Sequence, residues 1–355
     1  MRKLKKIFES TLARVISIVL IIGFALSVFF FFDFYERQIN KAKGFYWVNK
    51  GDKAFKKQDL HNAINYYEKG IKLHPKHYRA MYNLANIYVV YEDYYQALKN
   101  YEKALLVKPD YEVARIDYAI ILGETFKTDE AIEQYKKVIA NKPKFIKIPF
   151  LIDNKKSYIH NTGVAYYNMG RAYRTKSLLA GLDKTKRTQY LEKASNSYEE
   201  AVGILKSYNA NYNLGLIHQL LKNKNQAGHY YCKAIEKEPM NYEAHFNLAV
   251  LLNDLKDYAG AAEEFKKAGL LLDSVGDNNK TRYIYDILSE VNQKIAINND
   301  SDYFKKLREK EEKNSIAEYK NGKLVINYDD KKKNNEFIKN FSTCAGYEIF
   351  VGEQK

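Results

Sequence analysis

The chain begins with one long apolar run and continues as a series of short amphipathic segments. The run occupies residues 15–32, VISIVLIIGFALSVFFFF, and contains no charged residue. Its length approaches the ~20 residues that a helix needs to cross a bilayer. From residue 44 to residue 297, apolar positions recur at helical spacing between polar ones. The pattern predicts a transmembrane helix over residues 15–34, followed by an all-α region.

The charges beside the apolar run predict its orientation. Residues 1–14 contain five Lys or Arg, and residues 33–47 contain three. Basic flanks stay in the cytoplasm, so residues 1–14 are a predicted basic cytoplasmic segment and the rest is predicted to lie on the extracytoplasmic side, in the periplasm or at the cell surface. A cleaved signal peptide is the alternative. Five strongly apolar residues would follow the weak candidate site 25–27, which favours an uncleaved signal-anchor.

Prolines and small residues recur with a fixed period. Pro75, Pro109 and Pro143 are 34 residues apart, and Pro239 has the same local context. A first small residue stands in each period at Gly51, Ala85, Ala119, Gly170, Gly215 and Ala249. A second stands at Ala63, Ala97, Ala131, Ala194, Ala227 and Ala261, four residues before an aromatic. Such residues let two helices approach closely, and a helix pair that cannot bury its apolar face alone must stack on its neighbours.

These slots resemble the tetratricopeptide-repeat (TPR) family, and the resemblance implies an α-α solenoid, a right-handed superhelix of helix pairs. It predicts a solenoid over residues 44–297, with two insertions, Ile146–Thr162 and another within Arg174–Tyr190 that lengthens a turn. An amphipathic helix with the stripe Tyr283, Ile287, Leu288, Val291 and Ile295 is predicted to cap it. The predicted repeats are 44–77, 78–111, 112–145, 163–207, 208–241 and 242–275, with the cap at 280–297.

Residues 298–355 leave the repeat pattern and are predicted to form a small mixed or partly disordered tail. Ser301–Lys313 is charged and predicted to be helical, and Tyr347–Val351 is a candidate strand. Asn321-Gly322 between two short runs predicts a β-hairpin.

A row of asparagines is the candidate binding site. Each stands two residues before the first small slot, a position that the TPR resemblance places in a concave peptide-binding groove. A carboxamide offers two donors and an acceptor, so it can pair with a peptide backbone. The row is similar to the asparagine ladder of O-GlcNAc transferase, which implies an extended peptide; the alternative is that asparagine is simply common at this TPR position. The row comprises Asn49, Asn83, Asn168, Asn213 and Asn247, with Asp117 in the remaining repeat and the aromatics Tyr82, Tyr167, Tyr212 and Phe246 alongside.

Composition narrows the ligand classes. Arg171 and Arg174 suit an acidic peptide or a C-terminal carboxylate. The net charge of +15 is spread along the chain rather than gathered in a stripe, which does not favour nucleic acid. Cys232 and Cys344 lie in no CxxC or Cys/His pattern, so neither a metal site nor a disulfide is predicted.

No catalytic motif is present in the sequence, so we predict a protein that is not an enzyme and has no cofactor. The predicted function is a membrane-anchored scaffold or assembly factor for protein or peptide partners. The alternatives are an accessory subunit of an envelope enzyme complex and an adaptor that faces the cytoplasm. The partner and the oligomeric state stay open.

Overall fold

A computed structural model of the chain describes residues 2–141, 154–274, 276–297, 317–320, 323–326, 338–339 and 343–344. These residues form thirteen helices, most of them in successive pairs, and two short strands, so the predicted all-α repeat fold is confirmed. The chain divides into two compact units, unit 1 (Met1–Gln134) and unit 2 (Tyr135–Lys355).

Unit 1 begins with a helix that does not stop where the predicted membrane span ends. It runs unbroken from the apolar segment into the first repeat, and within Ile18–Lys56 it is long and apolar enough to cross a membrane. The helices of this unit are α1 (Arg2–Lys56), α2 (Leu60–Leu73), α3 (Tyr78–Val90), α4 (Tyr94–Val107), α5 (Glu112–Glu124) and the first half of α6 (Thr128–Ala140).

The small residues allow the close pairing that the repeat requires. Ala63 and Ala97 are fully buried. A Cβ atom built on Gly51 would lie 2.7 Å from the ring of Tyr67, so a larger residue there would push the second helix away. At the start of α2, Asp59 accepts a hydrogen bond from the Asn62 amide, which caps the helix.

Unit 2 contains the stretched repeat, and its extra residues lie mainly in helices. Six residues separate α7 from α8, whereas three separate the paired helices of the other repeats. The predicted long turn is therefore wrong: residues 184–193 contain no Pro or Gly, and α8 extends through them. The elements are α7 (Asn154–Ser177), α8 (Lys184–Leu205), α9 (Tyr208–Leu220), α10 (Lys224–Lys237), α11 (Tyr242–Asp254), α12 (Tyr258–Ser274), α13 (Asn278–Ile297), β1 (Ala317–Lys320) and β2 (Lys323–Ile326).

The capping helix α13 packs on α12 as expected, with one difference. Ile284, Leu288 and Val291 are buried, at the i, i+4 and i+7 spacing of a helix face. Tyr283, which the predicted stripe includes, is 59% exposed, because the buried face is centred one residue further along.

A buried ionic cluster lies in the core of unit 2, and its three side chains are almost fully buried. Glu264 accepts from Lys267 Nζ at 2.7 Å and faces His245 Nδ1 at 2.5 Å. The other ring nitrogen of His245 lies 2.9 Å from the carbonyl oxygen of Pro239. Burial alone would raise the pKa of Glu264, but the charges of Lys267 and His245 outweigh burial and hold that pKa at about 2.

The two cysteines form a disulfide, so the prediction of unpaired cysteines is wrong. Cys232 on α10 and Cys344 are 112 residues apart, with their Cα atoms at 5.5 Å. A bridge over that separation leaves no local spacing by which a sequence could reveal it. Cys344 is buried in the core of unit 2, and Ile338 packs on Leu270 and Leu271. These contacts hold two parts of the tail on the repeats.

The predicted hairpin is confirmed. β1 and β2 pair antiparallel with Lys320 opposite Lys323, on either side of residues 321–322. Residues 321–322, Pro143, Ser301–Lys313 and Tyr347–Val351 lie outside the described residues, as does the first part of the predicted insertion at 146–162. The last part of that insertion belongs to α7.

Candidate ligand-binding faces

The polar face of unit 1 is built from tyrosine hydroxyls that donate to side chains of the same unit. Burial raises the pKa of each hydroxyl well above its ordinary value, so each stays protonated and is a donor at neutral pH. The bonds are Tyr67 to Asp52 (2.6 Å), Tyr82 to Asp117 (2.8 Å), Tyr101 to Asn86 (2.5 Å) and Tyr118 to Glu102 (2.6 Å). These four hydroxyls therefore have their acceptors within the unit.

The two predicted asparagines of unit 1 lie in different surroundings. Asn83 Nδ2 donates to Asp52 Oδ1 at 3.2 Å and to Tyr67 Oη at 3.3 Å. The Asp52 carboxylate thus receives both a hydroxyl and an amide. Asn49 is exposed on α1 and makes no hydrogen bond to another described side chain. The row in unit 1 is therefore interrupted by internal bonding.

In unit 2 the structure brings two predicted pairs together across successive repeats. Asn213 Nδ2 donates to Tyr167 Oη at 3.1 Å, and Asn247 Nδ2 donates to Tyr212 Oη at 2.9 Å. Each amide also donates to the carbonyl four residues earlier in its helix. These bonds use the amide nitrogens and fix the side chains, while the Oδ1 atoms have no donor among the residues that the structure describes.

Asn168 and Phe246 make different contacts from the residues of these two pairs. Asn168 is buried, and its amide donates to the Val164 carbonyl at 3.0 Å. Phe246 is half-buried and packs edge-on against Phe265, with ring centroids 5.7 Å apart. Both stay predicted groove residues, and these contacts give each of them a partner within the chain.

The residue directly after the first small slot differs between the first repeat of unit 1 and the stretched repeat of unit 2. In the first repeat, Asp52 follows Gly51 and accepts from the buried tyrosine of the second helix. In the stretched repeat, Arg171 follows Gly170, and its guanidinium has donors and no acceptor. Arg171 Nη1 donates to Asn168 Oδ1 at 3.3 Å. The hydroxyl of Tyr198, the counterpart of Tyr67, is buried and has no hydrogen-bond partner.

Arg174, one helical turn further along α7, adds a second cation beside the same tyrosines. It is half-buried, and its Nε atom is buried without a partner. Burial raises the pKa of Tyr167 and of Tyr198, and the two arginines oppose that rise. Among the described residues, neither arginine has a carboxylate partner. We call Arg171, Arg174, Tyr167, Tyr198 and Asn213 the arginine–tyrosine site.

Sequence reasoning identified four members of this site and missed Tyr198. It also missed Asp52 and Asn86, two of the four internal acceptors of unit 1. The signal was present, because both follow the first small residue of their repeat, as Arg171 does. In the described part of the chain, no group of three or more metal-ligating side chains comes together.

Comparisons with known proteins agree with this architecture. The family model of the tetratricopeptide repeat matches residues 48–105 and 221–269. The structure of PilW, a widely conserved type IV pilus biogenesis factor, is similar over 68% of this chain and 98% of its own, with 16% identity and a TM-score of 0.52. The structure of pilF of Pseudomonas aeruginosa is similar over 71% of this chain and 98% of its own, with 12% identity and a TM-score of 0.51. A search of curated proteins gave no match. At these identities the structural likeness establishes a common fold.

Proposed function

We propose that this chain, which belongs to the tetratricopeptide-repeat family, is a membrane-anchored scaffold that binds acidic segments of protein partners at the arginine–tyrosine site. The observation that carries the proposal is the replacement of an internal acceptor by a cation. Asp52 accepts from Tyr67 and Asn83 within unit 1, whereas Arg171 and Arg174 place positive charge beside Tyr198 with no carboxylate partner among the described residues. A ligand carboxylate would supply what the chain omits there.

The fixed asparagines supply a second type of contact. Asn213 and Asn247 are oriented by bonds to tyrosines of the preceding repeats, so their Oδ1 atoms need no reordering before they accept a peptide N–H. Backbone contacts of this kind do not depend on the ligand's side chains. The charged site would therefore select the acidic residue, and the asparagines would hold the chain beside it.

The anchor and the compartment follow from the two ends of the chain. The apolar part of α1 supports a membrane span, and the greater number of basic residues before it supports an extracytoplasmic solenoid. Disulfides persist in oxidising compartments and are rare in the cytosol, so the Cys232–Cys344 bridge supports the same side. The bridge argues against an adaptor that faces the cytoplasm.

The test measures binding of two fluorescent peptides, one of glutamate and one of glutamine, to the full chain in nanodiscs. Replacing Arg171 and Arg174 by Gln should lower the affinity for the glutamate peptide by about tenfold or more, since hydrogen bonds to charged groups contribute ~1.5–3 kcal/mol each. Replacing the exposed Arg187 and Arg282 by Gln is the matched control, because it removes the same charge elsewhere in unit 2.

The asparagines give a separate readout. Asn213→Ala with Asn247→Ala should lower the affinity for both peptides to a similar degree, because the lost contacts are to the peptide backbone. If replacing either arginine pair weakens binding of the glutamate peptide equally, the effect is one of net charge. The arginine–tyrosine site is then not the binding site.

A further inference from the structure

The unbroken helix α1 fixes how far unit 1 can stand from the membrane. Gly44, the start of the first repeat, lies twelve residues after Phe32, the end of the apolar run. At a rise of about 1.5 Å per residue, that length is roughly 18 Å. The headgroup layer on one side of a bilayer takes up about 5–8 Å of it. The first repeat therefore begins roughly 10–13 Å above the headgroups, and a tilt of the helix, commonly about 20°, lowers one side of the unit further.

One end of unit 1 must face the membrane, and ring contacts identify it. α1 leaves the membrane and packs against α2, which runs back towards it. Gly44 lies against His74, and the ring of Phe45 is 5.2 Å from His74 and 5.0 Å from His77. The next turn joins the same end through Tyr78 and Tyr111, whose rings are 5.1 Å apart. We call this end, residues 41–43, 72–79 and 108–112, the base of unit 1, and the opposite end, residues 53–61, 91–96 and 124–130, the top.

The two ends carry opposite charge. The base holds six Lys or Arg against two acids, and the top holds four Lys against six acids. Most of the basic side chains of the base are exposed and have no carboxylate partner among the described residues. The charged residues of the base are Lys41, Lys43, Lys72, Lys76, Arg79, Lys108, Asp110 and Glu112.

We propose that the base of unit 1 docks on the anionic phospholipid headgroups of the membrane that α1 crosses. The proposal rests on the membrane anchor of the proposed function. Charge complementarity favours it, because basic residues near an anionic leaflet are attracted over about one Debye length, ~8 Å at physiological salt. Lys41 and Lys43 lie on α1 itself, so they sit below the first repeat, whereas Lys72 lies in the last turn of α2 and Lys76 in the turn after it. Their long side chains reduce the distance that remains to the headgroups.

Lysine footprinting tests the docking. The full chain is reconstituted in nanodiscs of phosphatidylcholine alone or with phosphatidylglycerol, and acetylation of each lysine is followed by mass spectrometry. Lys72 and Lys76 should react several-fold more slowly in the anionic discs, and high salt should restore their rates. Lys53, Lys56 and Lys57 at the top should react equally in both lipids.

Two charge-reversal variants complete the test. Lys72→Glu with Lys76→Glu and Arg79→Glu should abolish the lipid dependence at Lys108, which remains as the reporter because, unlike Lys41 and Lys43, it does not lie on the anchoring helix. The matched top variant, Lys53→Glu with Lys56→Glu and Lys57→Glu, should retain it.

The outcomes separate docking from anchoring. A chain that does not incorporate into discs of either lipid contradicts the membrane anchor and the docking with it. A chain that incorporates but shows equal rates at Lys72 and Lys76 in both lipids keeps its anchor and overturns the docking. Protection that ignores lipid charge and grows with the amount of protein per disc would assign the base to contact between copies, and would overturn it too.

Discussion

The first repeat of unit 1 and the stretched repeat of unit 2 share one framework but differ in the bonding of their buried tyrosine. In the first repeat, Tyr67 donates to Asp52, so the hydroxyl has its acceptor within the unit. In unit 2, the counterpart Tyr198 has no partner, and Arg171 occupies the acceptor's slot. The residue at this position therefore separates a repeat whose buried tyrosine has its acceptor from one that retains unmet hydrogen-bonding capacity, whereas Tyr231 in the next repeat of unit 2 donates to Gln219. The comparison shows that a repeat can gain a binding site by omitting an internal contact.

The units also differ in what their cores contain, and the largest expected loss of stability comes from this difference. Glu264 holds the buried ionic cluster of unit 2 together. Glu264→Gln should destabilise unit 2 by about 3–4 kcal/mol, because it removes the carboxylate that lies against both Lys267 and His245 and leaves Lys267 with Glu263, at 2.9 Å, as its remaining carboxylate. Urea unfolding of the full chain in detergent measures this in two ways. Circular dichroism follows all helices, and the fluorescence of Trp47, the single tryptophan, follows unit 1.

The control for this variant is Glu236→Gln, which removes an exposed pair with Lys233 and should cost less than about 1 kcal/mol. Acid gives a second check. The pKa of Glu264 is about 2 in the folded chain against an ordinary 4.5, so its stabilisation is present above pH 4.5 and lost as the pH falls towards 2. If Trp47 fluorescence shifts as far as circular dichroism in Glu264→Gln, the units do not respond separately and the comparison fails.

Removal of the disulfide should cause a somewhat smaller loss of stability in the same unit. Cys344→Ser should lower the stability of unit 2 by about 2–4 kcal/mol, because the bridge closes a long loop and restricts the unfolded chain. A reductant should shift the thermal midpoint of the parent chain and leave that of the variant unchanged. A parent chain whose midpoint is the same with and without reductant would contradict this account.

The slot after the first small residue predicts the smallest effect and tests the comparison directly. Asp52→Ala removes the acceptor of both Tyr67 and Asn83 and should cost about 1–3 kcal/mol, read from Trp47 fluorescence during unfolding. Arg171→Ala at the equivalent slot should cost much less, because it removes one bond of 3.3 Å to Asn168. Equal costs in the two variants would show that the slot has the same role in both units.

Helix pairing could be predicted from the sequence because its requirement is local. Ala63 and Ala97 need only be small, and the period of the chain displays that need. The hydrogen-bond partners of polar side chains could not be predicted from the sequence, since Asn213 reaches a tyrosine 46 residues away. His245 occupies an apolar slot in the pattern, and only the fold shows that Glu264 and a carbonyl receive its two nitrogens. The disulfide escaped prediction for the same reason.

The continuity of α1 also constrains how the chain can vary in length. Because a helix makes one full turn in about 3.6 residues, a single residue inserted between the apolar run and Gly44 would rotate unit 1 by about 100° and raise it by about 1.5 Å. Seven inserted residues make close to two full turns and nearly restore the original heading, at a height about 10 Å greater. The segment of α1 between the apolar run and Gly44 therefore sets the rotation of the first repeats about the helix axis as well as their distance from the membrane. Only insertions of a few lengths preserve that rotation.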